Sequence, residues 1–299
     1  MTGRGRWGCL LAGLVAGVAG GLFGVGGGVL MVPILTGGFG LSQHRAHGTS
    51  LAVIGLSALA GLVVYAASSH VVWATAAVVA LTSVLAAPLG ARAATRTSPN
   101  ALRKAFALFM ILVAVRLLWK TPQPHGASFH HGLTGVAFDL GLGALMGLLS
   151  GYLGVGGGLV AVPAFTLALG MTQQMAQGTS LAIILVTGPA GAIVHHRHGN
   201  VAWPLVPLLA VGAAVGAPLA SWLAQMLPHE ALARVFAVFL LLNGLYAWFR
   251  GRKKSPPVPA PQPAGESTHS RAFRTPRGQT SATRWAASAR SNTVSIFPL

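Results

Sequence analysis

Long apolar segments, separated by short polar ones, follow one another along the chain as far as Arg250. Most of them have the length of about 20 residues that a helix needs to cross a bilayer. There are eight, at 8–38, 46–68, 71–91, 101–119, 133–169, 176–194, 201–224 and 231–249. The pattern predicts an all-α, polytopic integral membrane protein that crosses the membrane several times.

Two of the eight segments, 8–38 and 133–169, are too long for one straight crossing and are rich in glycine. Glycine lets a backbone turn sharply and approach other chains closely. We therefore expect the first segment of each half to be a broken helix, or a helix followed by a re-entrant piece.

The composition supports a membrane location and argues against a soluble enzyme. Only 8% of the 299 residues are charged, against roughly 25% in ordinary soluble domains. A folded soluble core needs a polar surface that so few charges cannot supply. The single cysteine, Cys9, excludes an internal disulfide and any metal site built from several cysteines.

Blocks of sequence recur at a constant offset along the chain, and this offset carries the segment 24–52 onto 154–182. More than half of the positions in these two segments hold the same residue. The chain is therefore predicted to consist of two homologous four-segment repeats, 1–120 and 133–250, joined by a linker at 121–132. An even number of crossings per repeat would give the two repeats the same orientation. A re-entrant first segment would instead make that number odd and invert one repeat relative to the other.

The remainder, 251–299, is Pro-, Ser- and Arg-rich and is predicted to be a disordered basic tail. Nine of the 20 Lys and Arg residues lie at or beyond Arg250. Because the arginines of the tail have almost no aromatic support, we expect no nucleic-acid partner. We expect the tail to be inert and solvated, with a lipid-surface or partner role as the alternative, and we expect membrane lipids as partners of the protein. If all eight segments cross the membrane, cations in the short loops are nearly balanced between the two sides, and the tail favours cytoplasmic termini.

The glycine clusters are the first candidate site. A helix that breaks inside the membrane exposes backbone N–H groups, which are tolerated where they line a cavity and which can hold an anion. The candidate anion-binding residues are Gly26, Gly27, Gly28, Gly156, Gly157 and Gly158. The alternative is helix packing through small residues, as in the pair Gly13 and Gly17. The spacing fits neither a dinucleotide-binding fingerprint nor a phosphate-binding P-loop.

Two Gly-Thr-Ser sequences supply the second group of candidates. Hydroxyl groups at the start of an apolar helix could bind an anion or cap the helix. These candidates are Thr49, Ser50, Thr179 and Ser180. Nearby neutral side chains could donate hydrogen bonds to the same anion or could be ordinary loop residues, and they are Gln43, Gln173, His47 and Gln177.

No catalytic group is evident in the sequence. The three acids, Asp139, Glu230 and Glu266, are too few for a carboxylate pair or a Ser-His-Asp arrangement. The stretch His195–His198 is interpreted as a basic interfacial loop and not as a metal site. We therefore expect neither enzymatic activity nor a metal or other cofactor.

The duplicated motifs resemble those of the sulfite exporter TauE/SafE family of membrane permeases. The resemblance lies in Gly21–Gly28, the Val32-Pro33 pair, the stretch from His44 to Leu51, and their second copies. It covers about residues 8–250. His47, before the first Gly-Thr-Ser, and Gln174 in the second half depart from the family pattern.

The resemblance implies a multi-pass protein of the inner, cytoplasmic membrane that moves small anions such as sulfite, sulfoacetate or related sulfonates. It also implies a transport site between the two halves, near the paired glycine segments. We expect transport by alternating access between the two repeats. A membrane scaffold or assembly protein and a membrane-embedded enzyme are the alternative hypotheses.

Overall fold

The computed structural model describes residues 3–95, 99–119, 133–153 and 157–250, and these residues form ten α-helices. The helices are α1 (Gly3–Phe23), α2 (Gly28–Gly38), α3 (Gln43–Ala67), α4 (Trp73–Thr95), α5 (Pro99–Trp119), α6 (Leu133–Leu153), α7 (Gly158–Ala168), α8 (Gln173–Arg197), α9 (Val206–Met226) and α10 (His229–Arg250). The prediction of an all-α protein is confirmed. The predicted linker at 121–132 and the tail at 251–299 lie outside the described residues.

Six of these helices contain stretches long and apolar enough to cross a membrane. The stretches are Gly5–Phe23, His44–Ala67, Trp73–Gly90, Gln173–Arg197, Val206–Met226 and His229–Phe249. Shorter apolar stretches occur in the other four helices, at Gly28–Gly38, Ala107–Trp119, Gly135–Ser150 and Gly158–Ala168. Eight apolar segments therefore give ten helices, because each of the two long segments divides into a long helix and a short one.

The first segment folds back on itself. Residues 24–27 form turns between α1 and α2, and Gly27 packs against the backbone of Ala16. At the other end of α2, a methyl group placed on Gly8 would lie 3.7 Å from the ring of Phe39. The helix α2 therefore returns antiparallel along α1. With 11 residues, α2 is about 16 Å long and is too short to cross a bilayer core of about 30 Å. α1 and α2 together form a hairpin.

The two longest helices, α3 and α8, pack antiparallel. Gly48, near the start of α3, lies against the backbone of Asn200 just after α8. At mid-length, a methyl group on Gly55 would lie 2.9 Å from the Pro189 ring. Gly178, near the start of α8, lies against the backbone just after α3. Small residues therefore let these two helices approach closely along their whole length.

α1 packs parallel to α9 through its own glycines. Gly13 contacts the backbone of Leu209, and Gly17 contacts that of Ala213, one turn further along both helices. α4 and α6 pack in the same parallel manner, with Gly147 against the backbone of α4. The packing interpretation is therefore confirmed for Gly13 and Gly17, whereas the glycines at 24–27 lie in the turns of the hairpin.

Large apolar side chains lie both in the core and on the outer surface. Tyr65, Phe165 and Phe236 are fully buried between helices. Residues such as Leu85 and Leu219 are more than half exposed on the sides of α4 and α9. Exposed apolar side chains on this scale would be unfavourable in water but are favourable against lipid chains.

Candidate functional site

The short helix α2 begins inside the protein with backbone N–H groups that find no acceptor among the described residues. Gly27 precedes it with φ of 82°, a left-handed conformation that glycine adopts without strain. The first helical bond within α2 runs from the N–H of Met31 to the carbonyl of Gly27, at 3.0 Å. The N–H groups of residues 28–30 therefore have no acceptor within the helix, and the positive end of the helix dipole lies there.

The start of α7 has the same geometry. Gly157 has φ of 74°, and its carbonyl accepts hydrogen bonds from the N–H groups of Val160 and Ala161, each at 3.0 Å. Gly157 and Gly158 are both buried. The remaining candidate of this cluster, Gly156, lies outside the described residues.

The glycine segments of the two halves are in contact. A methyl group placed on Gly158 would lie 3.1 Å from Cα of Val25 and 3.3 Å from the carbonyl oxygen of Gly24. Gly26 lies against Ile54 and Ile184, and each isoleucine is the twelfth residue of a 25-residue helix. The turns of the first hairpin therefore reach the middle of the α3–α8 pair, at the depth of the bilayer centre if these helices span it.

The two serines of the Gly-Thr-Ser sequences differ in their hydrogen bonds. Ser180 Oγ donates to the carbonyl of Gly24 at 2.7 Å and so connects α8 to the first hairpin. Ser50 is 2% exposed, and its Oγ has no hydrogen-bond partner among the described residues. A methyl group on Gly28 would lie 3.3 Å from that oxygen. Ser50 thus places an uncommitted hydroxyl beside the open N-terminus of α2.

Gln177 is fully buried next to the first hairpin. Its Oε1 accepts a hydrogen bond from the hydroxyl of Tyr65 at 2.8 Å, and that hydroxyl also lies 2.9 Å from the carbonyl oxygen of Gly21. The Gln177 Nε2 has no partner within the described part of the chain. A methyl group on Gly24 would lie 2.5 Å from Gln177 Cα, so this amide belongs to the same region as the glycine turns.

The two threonines hold the loops that follow the opposite long helix. Thr49 Oγ1 donates to the carbonyl of Arg45 at 2.6 Å and accepts the N–H of Ala202 at 2.9 Å. Thr179 Oγ1 accepts the N–H of Val72 at 3.1 Å. Neither threonine caps a helix, because Ser42 and Thr172 occupy the N-cap positions of α3 and α8.

The remaining polar candidates lie nearer the helix ends. Gln173 is fully buried, and its side-chain amide has no partner among the described residues. It is the first residue of α8, about 16 Å along the helix axis from Ile184. Gln43 is the first residue of α3, and its side chain is outside the description. His47 is half-buried near the start of the same helix.

Tyr65 and Ser221 lie next to the candidate site and were not predicted from the sequence. Ser221 Oγ lies 3.4 Å from the carbonyl oxygen of Gly21, which Tyr65 also contacts. Both hydroxyls thus approach a carbonyl of the last turn of α1, where helical carbonyls have no intrahelical partner. A hydroxyl near the end of an apolar segment is a weak signal, because many such residues bond to their own helix.

Two other features do not form part of this region. A groove of about 600 Å³ lies between α1 and α2, but it is lined by glycine, alanine and large apolar side chains such as Leu11 and Phe39. Among the described residues, no group of three His, Cys, Asp or Glu residues could hold a metal ion. The prediction of a loop at His195–His198 is wrong, because His195, His196 and Arg197 form the last turn of α8 and His198 is its C-cap.

Helices that are apolar on the outside, with a polar break buried between them, define a multi-pass membrane protein. The family model described as "Sulfite exporter TauE/SafE" matches residues 1–117 and 140–289. This chain belongs to the sulfite exporter TauE/SafE family, and it is a membrane transporter and not an enzyme.

Curated relatives agree with this assignment. A probable membrane transporter protein of Xylella fastidiosa strain 9a5c is 30% identical over 243 residues, covering 80% of this chain and 93% of the relative. The probable membrane transporter protein YunE of Bacillus subtilis is 26% identical, covering 81% and 97%. The probable membrane transporter protein MJ0441 of Methanocaldococcus jannaschii is 24% identical, covering 79% and 93%. No solved structure matches the chain.

Proposed function

We propose that this transporter moves a small oxyanion, sulfite or a related sulfonate, across the cytoplasmic membrane. The main support is the open N-terminus of α2, where free N–H groups and the Ser50 hydroxyl lie together at mid-depth. Such an arrangement favours an anion without any cationic side chain. The family is described as one of sulfite exporters, and this description suggests the substrate class.

The anion would be held by backbone N–H groups of Gly26, Gly27 and Gly28 together with Ser50. The N–H of Val29, in the same open first turn of α2, would be a further donor. Their counterparts Gly156, Gly157 and Gly158 would form the second half of the site, with the Gln177 amide as a further donor. Ser180 would join the two glycine segments, because its hydroxyl already donates to the carbonyl of Gly24. In this proposal Thr49 and Thr179 position the site, because their hydroxyls already bind loops of the opposite half. Gln43, Gln173 and His47 would lie along the path of the anion.

We further propose that the chain consists of two inverted repeats, 1–120 and 133–250. In support, the offset that relates the two sequences also carries the first residues of α1, α2, α3 and α5 onto those of α6, α7, α8 and α10. Thr49 and Thr179 make reciprocal bonds, to Ala202 and Val72, which are themselves equivalent positions of the two repeats. The antiparallel packing of α3 and α8 favours an axis in the membrane plane over one along its normal.

In this arrangement, each half contributes one hairpin and three crossing helices. Alternating access then requires the loops at one end of the α3–α8 pair to separate while those at the other end stay closed. The Thr49–Ala202 and Thr179–Val72 hydrogen bonds lie at these two ends and would open in turn. Rocking of one half against the other around a fixed central site is the usual behaviour of inverted-repeat transporters.

Flux measurements in proteoliposomes test this proposal. Vesicles that contain the purified protein are loaded with sulfite, a small alkylsulfonate or glycerol, and release is followed over time. We expect protein-dependent release of at least one anion and background release of glycerol. Equal release of glycerol would contradict a specific anion site, and no release of any anion would contradict the proposed substrate class.

A further inference from the structure

The helix directions define two opposite faces of the protein. α2 returns along α1, α1 runs parallel to α9, and α3 runs antiparallel to α8. Lys104 near the start of α5 lies over the Trp248 ring near the end of α10, at 5.9 Å, so these two helices are antiparallel as well. As a result α1, α3, α5 and α9 begin on the face where α2, α4, α8 and α10 end.

Most cations of the described helices lie on this face, which we call the basic face. Eight of the ten Lys and Arg residues in the described ranges belong to the first two turns of α1, α3 and α5 or to the last turns of α4, α8 and α10. The four whose side chains are described, Arg6, Arg45, Lys104 and Arg197, are exposed.

The opposite face has a different charge balance. Its two described cations are Arg116, near the end of α5, and Arg234, near the start of α10. Both acids of the described ranges, Asp139 and Glu230, lie on helices that begin there, and Glu230 pairs with Arg234 at 3.7 Å. The net charge of the described helix ends is therefore concentrated on one side.

This distribution differs from the near balance expected for eight simple crossings. That expectation placed Arg45 on the side opposite Arg6, because it counted 8–38 as one passage through the membrane. The hairpin returns the chain to the face from which it started, so α3 begins beside α1. The arrangement of cations that looked balanced in the sequence is strongly asymmetric in the fold.

We propose that the basic face lies in the cytoplasm, where its exposed arginines bind the anionic phospholipid headgroups of that leaflet. Cytoplasmic loops of membrane proteins carry an excess of Lys and Arg, and the anionic lipids of the inner leaflet attract basic segments next to the membrane. The helix directions and charges alone support this orientation, which is independent of the transported substrate.

A matched pair of cysteine variants tests the orientation. Ser68 and His198 are the C-cap residues of α3 and α8, both are exposed, and they lie on opposite faces. In a Cys9→Ala background, Ser68→Cys and His198→Cys are treated with a membrane-impermeant maleimide in spheroplasts and in inverted membrane vesicles. We expect S68C to react in spheroplasts and H198C in inverted vesicles. The reverse pattern, or reaction of both on one side, would overturn the proposal.

Lipid retention tests the contact with anionic headgroups. The variant Arg6→Gln/Arg197→Gln is compared with Arg116→Gln/Arg234→Gln, which removes the same charge from the opposite face. Each protein is purified from vesicles with equal amounts of phosphatidylglycerol and phosphatidylcholine, and the retained lipids are measured. We expect retained phosphatidylglycerol to fall at least twofold for the first variant alone. Equal retention by both variants at unchanged melting temperature would refute the lipid contact.

Discussion

At the scale of single residues, the free hydroxyl of Ser50 distinguishes the two halves of the candidate site. Ser180, in the matching position, donates its proton to the carbonyl of Gly24. Ser57, two turns after Ser50 on the same helix, is equally buried and also lacks a partner among the described residues. Proximity to the start of α2 therefore separates Ser50 from an otherwise similar serine.

We predict that Ser50→Ala raises the apparent KM for sulfite flux about tenfold, because a hydrogen bond to a charged group contributes about 1.5–3 kcal/mol. Ser57→Ala is the matched control and should leave the KM unchanged. Initial rates in proteoliposomes over a range of sulfite concentrations measure both values. An equal effect of the two substitutions would remove Ser50 from the site.

Tyr65→Phe should lower stability by about 1–3 kcal/mol, because it removes the buried hydroxyl that donates to Gln177 Oε1 and contacts the Gly21 carbonyl. The melting temperature of the purified protein should fall measurably. Ser57→Ala is the control and should have little effect, because it removes a buried hydroxyl that has no partner among the described residues. An unchanged melting temperature for Tyr65→Phe would mean that this hydroxyl does not hold α3 to α1 and α8.

Some residues of the candidate site could be predicted from the sequence and others could not. Gly27 and Gly157 stand where apolar segments must break, so their positions could be identified from composition alone. The difference between Ser50 and Ser180 could not be identified from the sequence, because identical Gly-Thr-Ser sequences acquire different partners from the other half of the chain. Tyr65 was missed for the same reason, as its acceptors lie on α1 and α8.

At the scale of helices, glycine has two separate uses in this chain. Gly17 brings α1 against α9, whereas Gly27 allows the turn into α2. The breaks at 24–27 and near 157 were predictable from the length and glycine content of the two long segments. The direction of α2 was not predictable, because it depends on contacts with α1 that the local sequence pattern does not indicate.

A pair of glycine substitutions tests the helix contact. A methyl group on Gly17 would lie 2.7 Å from Cα of Ala213, whereas a methyl group on Gly141 in α6 would meet no neighbour. We expect Gly17→Ala to destabilise the protein by about 1–3 kcal/mol, as overpacking does. Gly141→Ala should be neutral or slightly stabilising, because alanine is the better helix former. Thermal unfolding in detergent measures both, and similar melting temperatures would contradict the α1–α9 packing.

At the scale of the whole molecule, the glycine turns of the first hairpin meet the start of α7 between the central helices α3 and α8. Gly158 contacts Val25 and Gly24 there, and Ile54 and Ile184 flank Gly26. The constant offset between the repeated blocks suggested two related halves, but it left their relative orientation open. The antiparallel contacts of α3 and α8 favour inverted halves, and this orientation in turn puts the helix-end cations on one face.

The proposed transport depends on bare peptide N–H groups at the start of α2, and one substitution pair tests them directly. Val29→Pro removes a single N–H in the first helical turn, where proline is tolerated, while Val29→Ala shortens the same side chain and keeps the N–H. We predict that Val29→Pro lowers the initial rate of sulfite flux in proteoliposomes at least tenfold, and that Val29→Ala stays within about twofold of the parent protein. Equal rates for the two variants, at similar melting temperatures, would contradict the claim that these amides hold the anion.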